Sequence, residues 1–369
     1  MLRRDCSARA RYSRGVRGEF FYRPEMLSYD FGAGHPLNPE RLRRAIALAE
    51  AEGIQVSAPP PATDDDLLRI HTRDYLEAVG RAGEGIPSPE HGLGYGDNPL
   101  FSDMHGASLW YVGGCAAAAR AVCDGSPLAI SLSGGLHHAM PERASGFCIY
   151  NDLAVAISLL RERFSRVAYI DIDVHHGDGV QWIFYDDPTV LTISIHESGR
   201  SLFPGTGFVG ELGAEKTSLN IPVNAGTTGD VWLEAFRAIV PTAVRRFGAE
   251  AIVLQMGTDT HALDPIAHVN LAAQEWLEAV QDVRGLDLPT VACGGGGYNL
   301  RTVPRMWIAA ALTLLDRDVP EGIPADVQSL LEVSAYLDAD LPTPRRRGET
   351  AAEDAVRQLK ESVEWLSVG

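Results

Sequence analysis

Asp171-Ile-Asp-Val-His-His-Gly-Asp-Gly179 brings acidic and imidazole side chains together directly after the apolar segment Arg166-Val-Ala-Tyr-Ile170. The apolar segment predicts a buried β-strand. A period of two continued past its end places Asp171, Asp173 and His175 on one face. The two glycines that follow allow the backbone to turn away sharply. The stretch therefore predicts a metal site at the end of a strand, and the alternative is a solvated turn rich in Asp and His.

A third metal ligand has to come from another part of the chain. Asp173 and His175 offer carboxylate and imidazole donors, and a catalytic zinc site uses three protein ligands with a fourth position for water. A second apolar segment, Ile252 to Leu254, delivers Asp259 just past its C-terminal end. Because ligands in open α/β sheets gather at the carboxyl ends of the strands, we expect Asp259 to join the other two.

Two further strand ends carry side chains suited to proton transfer and hydrogen bonding. His137 and His138 follow the apolar segment 127–132 and a glycine turn, and imidazole titrates near neutral pH. Tyr298 follows four glycines that lack the Lys-Ser/Thr ending of a phosphate-binding loop. A phenol hydroxyl there would donate to a developing oxyanion. The alternatives are a structural histidine pair and a packed tyrosine after a glycine-rich turn.

Together these residues predict metal-assisted hydrolysis, with a metal to polarise a carbonyl and activate water. Acyl transfer through a Ser or Cys nucleophile fits less well, because the chain has no Gly-x-Ser-x-Gly elbow. Cys148 and Cys293 stand in apolar or glycine-rich surroundings, where a buried, inert thiol is expected.

Ordered motifs along the chain resemble those of the histone deacetylase superfamily, and among its members the bacterial acetoin-utilisation deacetylases. The resemblance runs from residue 20 to residue 310 in the order of the family. The matching segments are Gly34-His-Pro-Leu-Asn-Pro-Glu-Arg41, Gly134-Gly-Leu-His-His-Ala139, Ser145-Gly-Phe-Cys148, Tyr150-Asn-Asp152, Asp171 to Gly179, Phe203-Pro-Gly-Thr-Gly207, Gln255-Met-Gly-Thr-Asp259 and Gly294-Gly-Gly-Gly-Tyr-Asn299.

The resemblance implies a catalytic role for each residue of the predicted site. A general base acts on a metal-bound water, a second histidine is its acidic or electrostatic partner, a tyrosine donates to the substrate carbonyl, and two aspartates orient the histidines. The implied metal ligands are Asp173, His175 and Asp259, the base is His138, its partner is His137, the hydroxyl donor is Tyr298, and the orienting aspartates are Asp171 and Asp178.

The resemblance also implies a narrow tunnel for the acyl-lysine side chain. Gly146 and Phe147, with Phe203 opposite them, would line the tunnel. Asp97 is similar to an aspartate on the tunnel rim that binds the substrate backbone amides. Arg41 is similar to an arginine beneath the metal, near the exit for acetate.

Two kinds of ion are implied. Zinc is the expected catalytic metal, and Fe²⁺ is compatible with the oxygen-rich ligands because carboxylates are harder ligands than thiolates. A potassium ion beneath the zinc is implied as well. Its oxygens would come from Asp171, Asp173 and Ser194 and from backbone carbonyls, for which His175 and Ile195 are the candidates.

The implied activity is removal of acetyl groups from the ε-amino group of lysine in proteins, with release of acetate. The substrate would be an acetylated protein or peptide, for example an acyl-CoA synthetase. One alternative is an amidohydrolase for acetylated polyamines or other small acetyl-amines, which would share the catalytic residues and differ at the tunnel mouth. Another is a catalytically idle acyl-lysine binding module, although such a module needs few of the catalytic residues.

The pattern of segments predicts a single α/β domain, with one doubly wound, mostly parallel sheet flanked by helices as in the arginase-deacetylase fold. Segments 151–160 and 351–366 predict helices. Residues 1–18 hold six arginines and predict a disordered extension or a misassigned start rather than a targeting arm. Residues 19–317 form the expected catalytic domain. Residues 318–369 form an acidic, helical C-terminal extension that packs on the domain or continues it.

Composition limits the partners and the compartment. A net charge of −17 argues against a broad phosphate-binding surface and therefore against nucleic acid. Five scattered cysteines indicate a reducing compartment. Because neither a signal peptide nor a membrane-length apolar run is evident, we expect a cytoplasmic protein that does not contact a membrane. The sequence leaves the oligomeric state open.

Overall fold

One parallel β-sheet forms the centre of the computed structural model, which describes residues 18–339 and 346–367. In the described residues its strands lie in the order β1-β2-β7-β6-β3-β4-β5, and each pair of neighbours is parallel. The predicted fold class is confirmed. The strand bounds are β1 Glu19–Phe20, β2 Leu128–Ser131, β3 Val167–Asp171, β4 Val190–Glu197, β5 Ser218–Val223, β6 Ala251–Gln255 and β7 Thr290–Cys293.

Helices cover both faces of the sheet, as parallel strands joined by crossover connections require. The helices of the described residues are α1 Glu40–Ala51, α2 Asp64–Leu67, α3 Arg73–Gly83, α4 Met104–Cys123, α5 Asp152–Leu160, α6 Asp178–Ile183, α7 Gly229–Phe247, α8 Ala273–Arg284, α9 Thr302–Leu314, α10 Ala325–Leu331, α11 Glu349–Ser362 and α12 Glu364–Ser367. The predicted helix at 151–160 is confirmed as α5, and the Asn151 side chain caps it by accepting from the Ala154 N–H.

The core consists of two apolar clusters, one on each face of the sheet. In β3, Ala168 and Ile170 belong to one cluster, whereas Val167 and Tyr169 belong to the other. Successive strand residues point to opposite faces, so a strand with both faces covered is apolar throughout. This explains why the strand segments appear in the sequence as short continuous apolar runs.

The strand register places the carboxyl ends of four central strands side by side. Asp171 of β3 pairs with Gln255 of β6, Gln255 with Cys293 of β7, and Cys293 with Ser131 of β2. The loops after these strands therefore leave the sheet at one edge. They are the loops in which the sequence places the histidine pair, the ligands and Tyr298.

The C-terminal region packs on the domain through α11, which lies against β5 and α7. The predicted single helix at 351–366 is wrong in one respect, because the helix stops at Ser362 and α12 begins at Glu364. Val363 separates them with non-helical backbone angles (φ −112°, ψ 88°), and its side chain is fully buried. Burying this apolar side chain turns the chain between the two helices.

Part of the predicted N-terminal extension, residues 1–17, lies outside the described residues. Across 18–339 and 346–367, we find no helix that combines the length and the apolar character needed to span a bilayer.

Candidate metal centre

Three predicted ligands meet at the carboxyl edge of the sheet. β3 ends at Asp171, so Asp173 and His175 lie in the loop beyond it, and Asp259 lies in the loop after β6. Their ligand atoms all lie within 4.8 Å of one another, and all three residues are buried. The Nδ1 atom of His175 is 3.1 Å from Asp173 Oδ1 and 3.1 Å from Asp259 Oδ2. The fold thus brings His175 and Asp259 together, although 84 positions separate them in the sequence.

The chemistry of this cluster fits a divalent cation. Burial and the neighbouring Asp173 carboxylate raise the pKa of Asp259, because two carboxylates in a site shielded from water repel each other. A cation between them would favour the charged form of both. Two carboxylate oxygens and one imidazole nitrogen are donors that zinc and Fe²⁺ accept.

Hydrogen bonds hold both oxygens of Asp173 and one oxygen of Asp259, since Asp173 Oδ1 accepts from the His175 N–H at 3.0 Å. Asp173 Oδ2 accepts from the Gln255 side chain and the Gly296 N–H, each at 2.7 Å. Asp259 Oδ1 accepts from the Val174 N–H at 2.9 Å. Asp173 Oδ1 and Asp259 Oδ2 face His175, so the carboxylates are held in the orientation that a metal would need.

Gln255 supports the predicted ligands, although we did not predict it as a site residue. It stands at the end of β6, its Nε2 also donates to the Gly135 carbonyl at 3.2 Å, and its Oε1 accepts from the Gly257 N–H at 2.7 Å. One side chain therefore connects the loops after β2, β3 and β6. The signal available in the sequence was a buried amide at the end of an otherwise apolar strand.

Gly296 shows why the tetraglycine run approaches the metal site so closely. A Cβ atom at this position would lie 2.0 Å from Asp259 Oδ2 and 2.8 Å from Asp173 Oδ2. Both distances are far below van der Waals contact, so a side chain here would displace the ligand carboxylates.

The two histidines form a hydrogen-bonded chain with two aspartates. His137 Nδ1 is 2.7 Å from Asp171 Oδ2, and His138 Nδ1 is 2.6 Å from Asp178 Oδ1. The two Nε2 atoms are 3.1 Å apart. Each carboxylate therefore holds the Nδ1 side of one ring, and each ring directs its Nε2 toward the other. This is the arrangement that the resemblance implies for the pair.

The two rings differ in basicity. Burial disfavours a charged His137, but the carboxylates of Asp171 and Asp173 outweigh this effect and raise its pKa to about 9. Burial and the neighbouring His137 lower the pKa of His138 to about 4. At neutral pH His138 is therefore the ring with a free electron pair, and His137 is the ring that carries an extra proton.

Asn151 holds the backbone of the histidine pair. Its Nδ2 donates to the carbonyl oxygens of His137 at 3.2 Å and Ala139 at 2.9 Å. Its own N–H donates to Nε2 of the buried ring of His71 at 3.0 Å. Neither Asn151 nor His71 was predicted as a site residue, although Asn151 lies in one of the resembling segments.

Tyr298 is placed beside the ligands by a carboxylate on the Asp259 loop. Its N–H donates to Asp264 Oδ2 at 2.8 Å. Burial and the carboxylates of Asp259 and Asp173 raise the pKa of Tyr298 well above its ordinary value, so the phenol keeps its proton. Arg41 is buried against the tetraglycine loop that follows β7. Its Nη1 donates to the carbonyl oxygens of Gly295 at 2.6 Å and Gly297 at 3.1 Å.

Phe147, Phe203 and Gly146, which are predicted to line the tunnel, lie next to the rings of Tyr298 and His138. The Phe203 ring centroid is 5.0 Å from that of His138, and the Phe147 centroid is 5.8 Å from that of Tyr298. Gly146 adopts φ +50°, and a Cβ there would lie 2.5 Å from His138 Cδ2 and 2.8 Å from Phe203 Cε1. Asp97 is exposed, and its carbonyl oxygen is 3.4 Å from the His35 ring.

The residues predicted for potassium surround the buried end of β3. Asp171 Oδ1 accepts from the Asp173 N–H at 3.0 Å, and Ser194 pairs with Asp171 in the sheet. The Ser194 hydroxyl is 2.8 Å from His196 Nδ1, and Ile195 is buried beside it. Asp171, Asp173 and Ser194 therefore lie close together in the sheet and the loop after β3, and a potassium ion at this place stays a prediction.

The cysteines named from the sequence are buried, as predicted. Burial raises the pKa of Cys148 and of Cys293, so both thiols stay protonated near neutral pH. The Cys293 sulfur contacts that of Cys115 behind the tetraglycine run. A thiolate nucleophile is therefore not favoured at this site.

Comparison with known proteins identifies the family to which the chain belongs. Residues 35–314 match the family model described as the histone deacetylase domain. The chain is similar to the acetoin utilization protein AcuC of Bacillus subtilis (strain 168), with 41% identity over 326 residues, covering 83% of this chain and 84% of the relative. It is also similar to AcuC of Staphylococcus xylosus, with 36% identity over 378 residues, covering 94% and 97%.

Proposed function

The chain belongs to the histone deacetylase family and is a deacetylase of the acetoin-utilisation type, and from this premise we propose that it removes acetyl groups from lysine side chains of proteins. The observation that carries the proposal is the convergence of three elements at one edge of the sheet. They are the ligand cluster, the aspartate-held histidine pair and a protonated tyrosine.

We propose zinc as the metal, held by Asp173, His175 and Asp259, with Fe²⁺ as the alternative. The family is metal-dependent, and the two carboxylates suit either ion. When bound, such a cation polarises the acetyl carbonyl and lowers the pKa of water. A potassium ion at Asp171, Asp173, Ser194 and the nearby carbonyls remains part of the proposal.

The histidine pair would handle the protons of the hydrolysis. His138 is neutral at pH 7 and takes a proton from the attacking water at Nε2, while Asp178 holds its Nδ1–H. His137 carries positive charge against Asp171 and stabilises the negative charge that develops on the substrate. The leaving amine of lysine receives a proton from the same pair.

Tyr298 would bind the substrate carbonyl oxygen. Because burial and two carboxylates keep its phenol protonated, it donates a hydrogen bond as charge develops on that oxygen. Asp264 accepts the backbone N–H of Tyr298, and Arg41 donates to the carbonyl oxygens of Gly295 and Gly297, just before Tyr298. The donor is therefore prepositioned before the reaction begins.

The aromatic rings of Phe147 and Phe203 would enclose the apolar stem of the lysine and exclude water from the site. Exposed Asp97 would bind backbone amides of the substrate at the rim, and Arg41 would lie on the path by which acetate leaves. A protein substrate such as an acetylated acyl-CoA synthetase is a prediction that follows from the resemblance alone.

Two other functions make different predictions. An acetylpolyamine amidohydrolase would use the same catalytic residues, and the exposed carboxylate of Asp97 at the rim is the feature that we take to favour a peptide backbone. An idle acyl-lysine binder would need neither the aspartate-bound histidine chain nor a ligand cluster. The intact hydrogen-bond chain favours an enzyme.

The test is hydrolysis of an acetyl-lysine peptide by protein stripped of metal and reloaded with Zn²⁺ or Fe²⁺, with Tyr298→Phe as control. The proposal expects metal-dependent acetate release that is lost in the variant. Faster turnover of an acetylated polyamine than of the peptide would favour the small-amine enzyme. Peptide binding without any turnover by the metal-loaded protein would favour the binder.

A further inference from the structure

A buried polar cluster joins the C-terminal region to the loop that carries the metal ligand Asp259. Its members are His261 on that loop, Arg305 in α9 and Asp338, which follows α10. His261 is 1% exposed, and the side chains of Arg305 and Asp338 are 4% and 11% exposed. Charged groups at this depth need partners, and the proposed catalytic machinery uses none of these three residues.

Asp338 is the centre of the cluster. Its Oδ2 accepts from His261 Nε2 at 3.0 Å and from the Ala273 N–H, at the start of α8, at 2.8 Å. Its Oδ1 accepts from Arg305 Nη2. The backbone around Asp338 is held by Gln274, which donates to its carbonyl at 2.6 Å and accepts from its N–H at 3.2 Å. One carboxylate thus connects α8, α9 and the Asp259 loop.

His261 connects Asp338 to the backbone of the loop that contains Asp259. Its Nδ1 accepts from the Leu263 N–H at 3.1 Å, so its Nε2, which faces Asp338, carries a proton. The backbone of His261 bonds to Thr258 at 3.1 Å and Asp264 at 2.8 Å. These are the residues on either side of the segment that contains Asp259.

The same loop reaches Tyr298. Asp264 ends the turn that begins at Thr258, and its Oδ2 accepts the Tyr298 N–H at 2.8 Å. A continuous series of hydrogen bonds therefore runs from Asp338 through His261 to Asp264 and Tyr298. Asp259 lies within the turn that this series holds.

We propose that Asp338 is a positioning residue that acts through His261 to set the placement of Asp259 and Tyr298. This inference rests on the proposed function of those two residues. It makes the C-terminal region up to Asp338 part of the catalytic unit. The competing explanation is that Asp338 only neutralises the buried Arg305 and ties down the end of the chain.

Three variants separate these explanations. Asp338→Asn removes the charge and disturbs every contact of the cluster. His261→Leu leaves the Asp338–Arg305 pair in place. It removes the contacts of the ring with Asp338, with Arg305 Nη2 at 3.3 Å and with the loop backbone at Leu263. Tyr336→Phe is the matched control, because Tyr336 anchors the same segment through its hydroxyl to Glu52 Oε1 at 2.7 Å, away from the metal site.

The measurements are zinc affinity by chelator competition, kcat and KM on an acetyl-lysine peptide, and the Tm of the metal-free protein. We expect Asp338→Asn and His261→Leu to weaken zinc binding and to lower kcat by about tenfold or more, as for residues that orient metal ligands. KM should stay within about twofold, because the tunnel is untouched. Tyr336→Phe should lower Tm without changing zinc affinity or kcat.

The inference is overturned if His261→Leu keeps the zinc affinity and kcat of the wild type. It is also overturned if Tyr336→Phe lowers zinc affinity and kcat as much as His261→Leu does. If Asp338→Asn does not fold, His261→Leu alone decides. A wild-type protein that binds zinc but hydrolyses no acetyl-lysine would refute the proposed function. In that case the zinc affinities of the same variants would still test the positioning role.

Discussion

Acidification from pH 7 to pH 5 should destabilise the fold through His71, a buried ring that contacts Asn151 behind the histidine pair His137 and His138. His71 is 3% exposed, its Nε2 accepts from the Asn151 N–H at 3.0 Å, and its Nδ1 lies 3.2 Å from the Pro141 carbonyl oxygen. The ring is therefore neutral, with its proton on Nδ1. Burial lowers the pKa of His71 from 6.5 to about 4.

The magnitude follows from the difference in proton binding between the folded and unfolded states. Between pH 6.5 and pH 4 the unfolded chain protonates His71 and the folded protein does not. The stabilisation is intact above pH 6.5 and is lost as the pH falls toward the folded pKa. At pH 5 protonation favours the unfolded chain by a factor of about 30, which corresponds to about 2 kcal/mol of unfolding free energy.

Loss of the hydrogen bond from the Asn151 N–H to His71 would also disturb the histidine pair. Protonation at Nε2 puts a hydrogen where the Asn151 N–H must donate, and Asn151 holds the backbone carbonyls of His137 and Ala139. We therefore expect acid to loosen the histidine loop before it affects elements on the far side of the sheet.

The assay is urea unfolding at pH 7 and at pH 5 for the wild type, His71→Gln and His91→Gln. Glutamine keeps a donor and an acceptor but does not titrate. His91 is the matched control, a half-buried ring whose Nδ1 lies 2.6 Å from the Glu142 carbonyl oxygen. Because other buried histidines contribute to the wild-type loss, the measured quantity is the loss in the wild type minus the loss in each variant.

We expect that difference to be about 2 kcal/mol for His71→Gln. A difference of the same size for His91→Gln would show that it does not come from the buried contact of His71. An equal loss of stability in the wild type and in His71→Gln would refute the argument. It would mean that the folded protein accepts the proton at His71 without breaking the bond from Asn151.

Three further predictions concern the site itself. Tyr298→Phe should lower kcat by about 10²–10³-fold with little change in KM, as measured by steady-state kinetics; a kcat within about threefold of the wild type would contradict the oxyanion role. Gly296→Ala should weaken zinc binding in a chelator competition, since its Cβ would lie 2.0 Å from Asp259 Oδ2, whereas Gly210→Ala, with no atom within 4 Å, should not. Gly146→Ala should reduce kcat/KM, as measured by steady-state kinetics. The new Cβ would lie 2.5 Å from Cδ2 of His138, the proposed base, and alanine is strained at a φ of +50°. Unchanged kinetics would show that the tunnel wall can shift.

Local patterns in the sequence were enough to predict the sheet and the edge at which the site lies. The strand at Val167–Asp171 is apolar on both faces because helices cover both, and this produces a continuous apolar run that needs no knowledge of its neighbours. Polar residues just after such runs must lie at the carboxyl edge of a parallel sheet. The positions of Asp173, His175 and Asp259 at one site follow from that rule.

Local patterns do not predict side-chain orientation beyond the end of a strand or helix, where the regular repeat stops. Asp173 and His175 lie beyond the end of their strand, so their orientation depends on loop backbone and on Gln255 rather than on alternation. The break at Val363 likewise depends on burial against the domain, which helix propensity cannot reveal.

The fold class, the edge of the sheet that holds the site and the residue types available for metal binding and proton transfer all follow from the amino-acid sequence. They do so because strand period, glycine turns and ligand chemistry are properties of short segments. Three features come from the packing of the folded chain. They are the carboxylate oxygens that face His175, the hold of His71 and Asn151 on the histidine loop, and the contact of Asp338 with His261 across 77 residues of chain. Such contacts depend on packing between distant segments, and no local pattern encodes the distance between them.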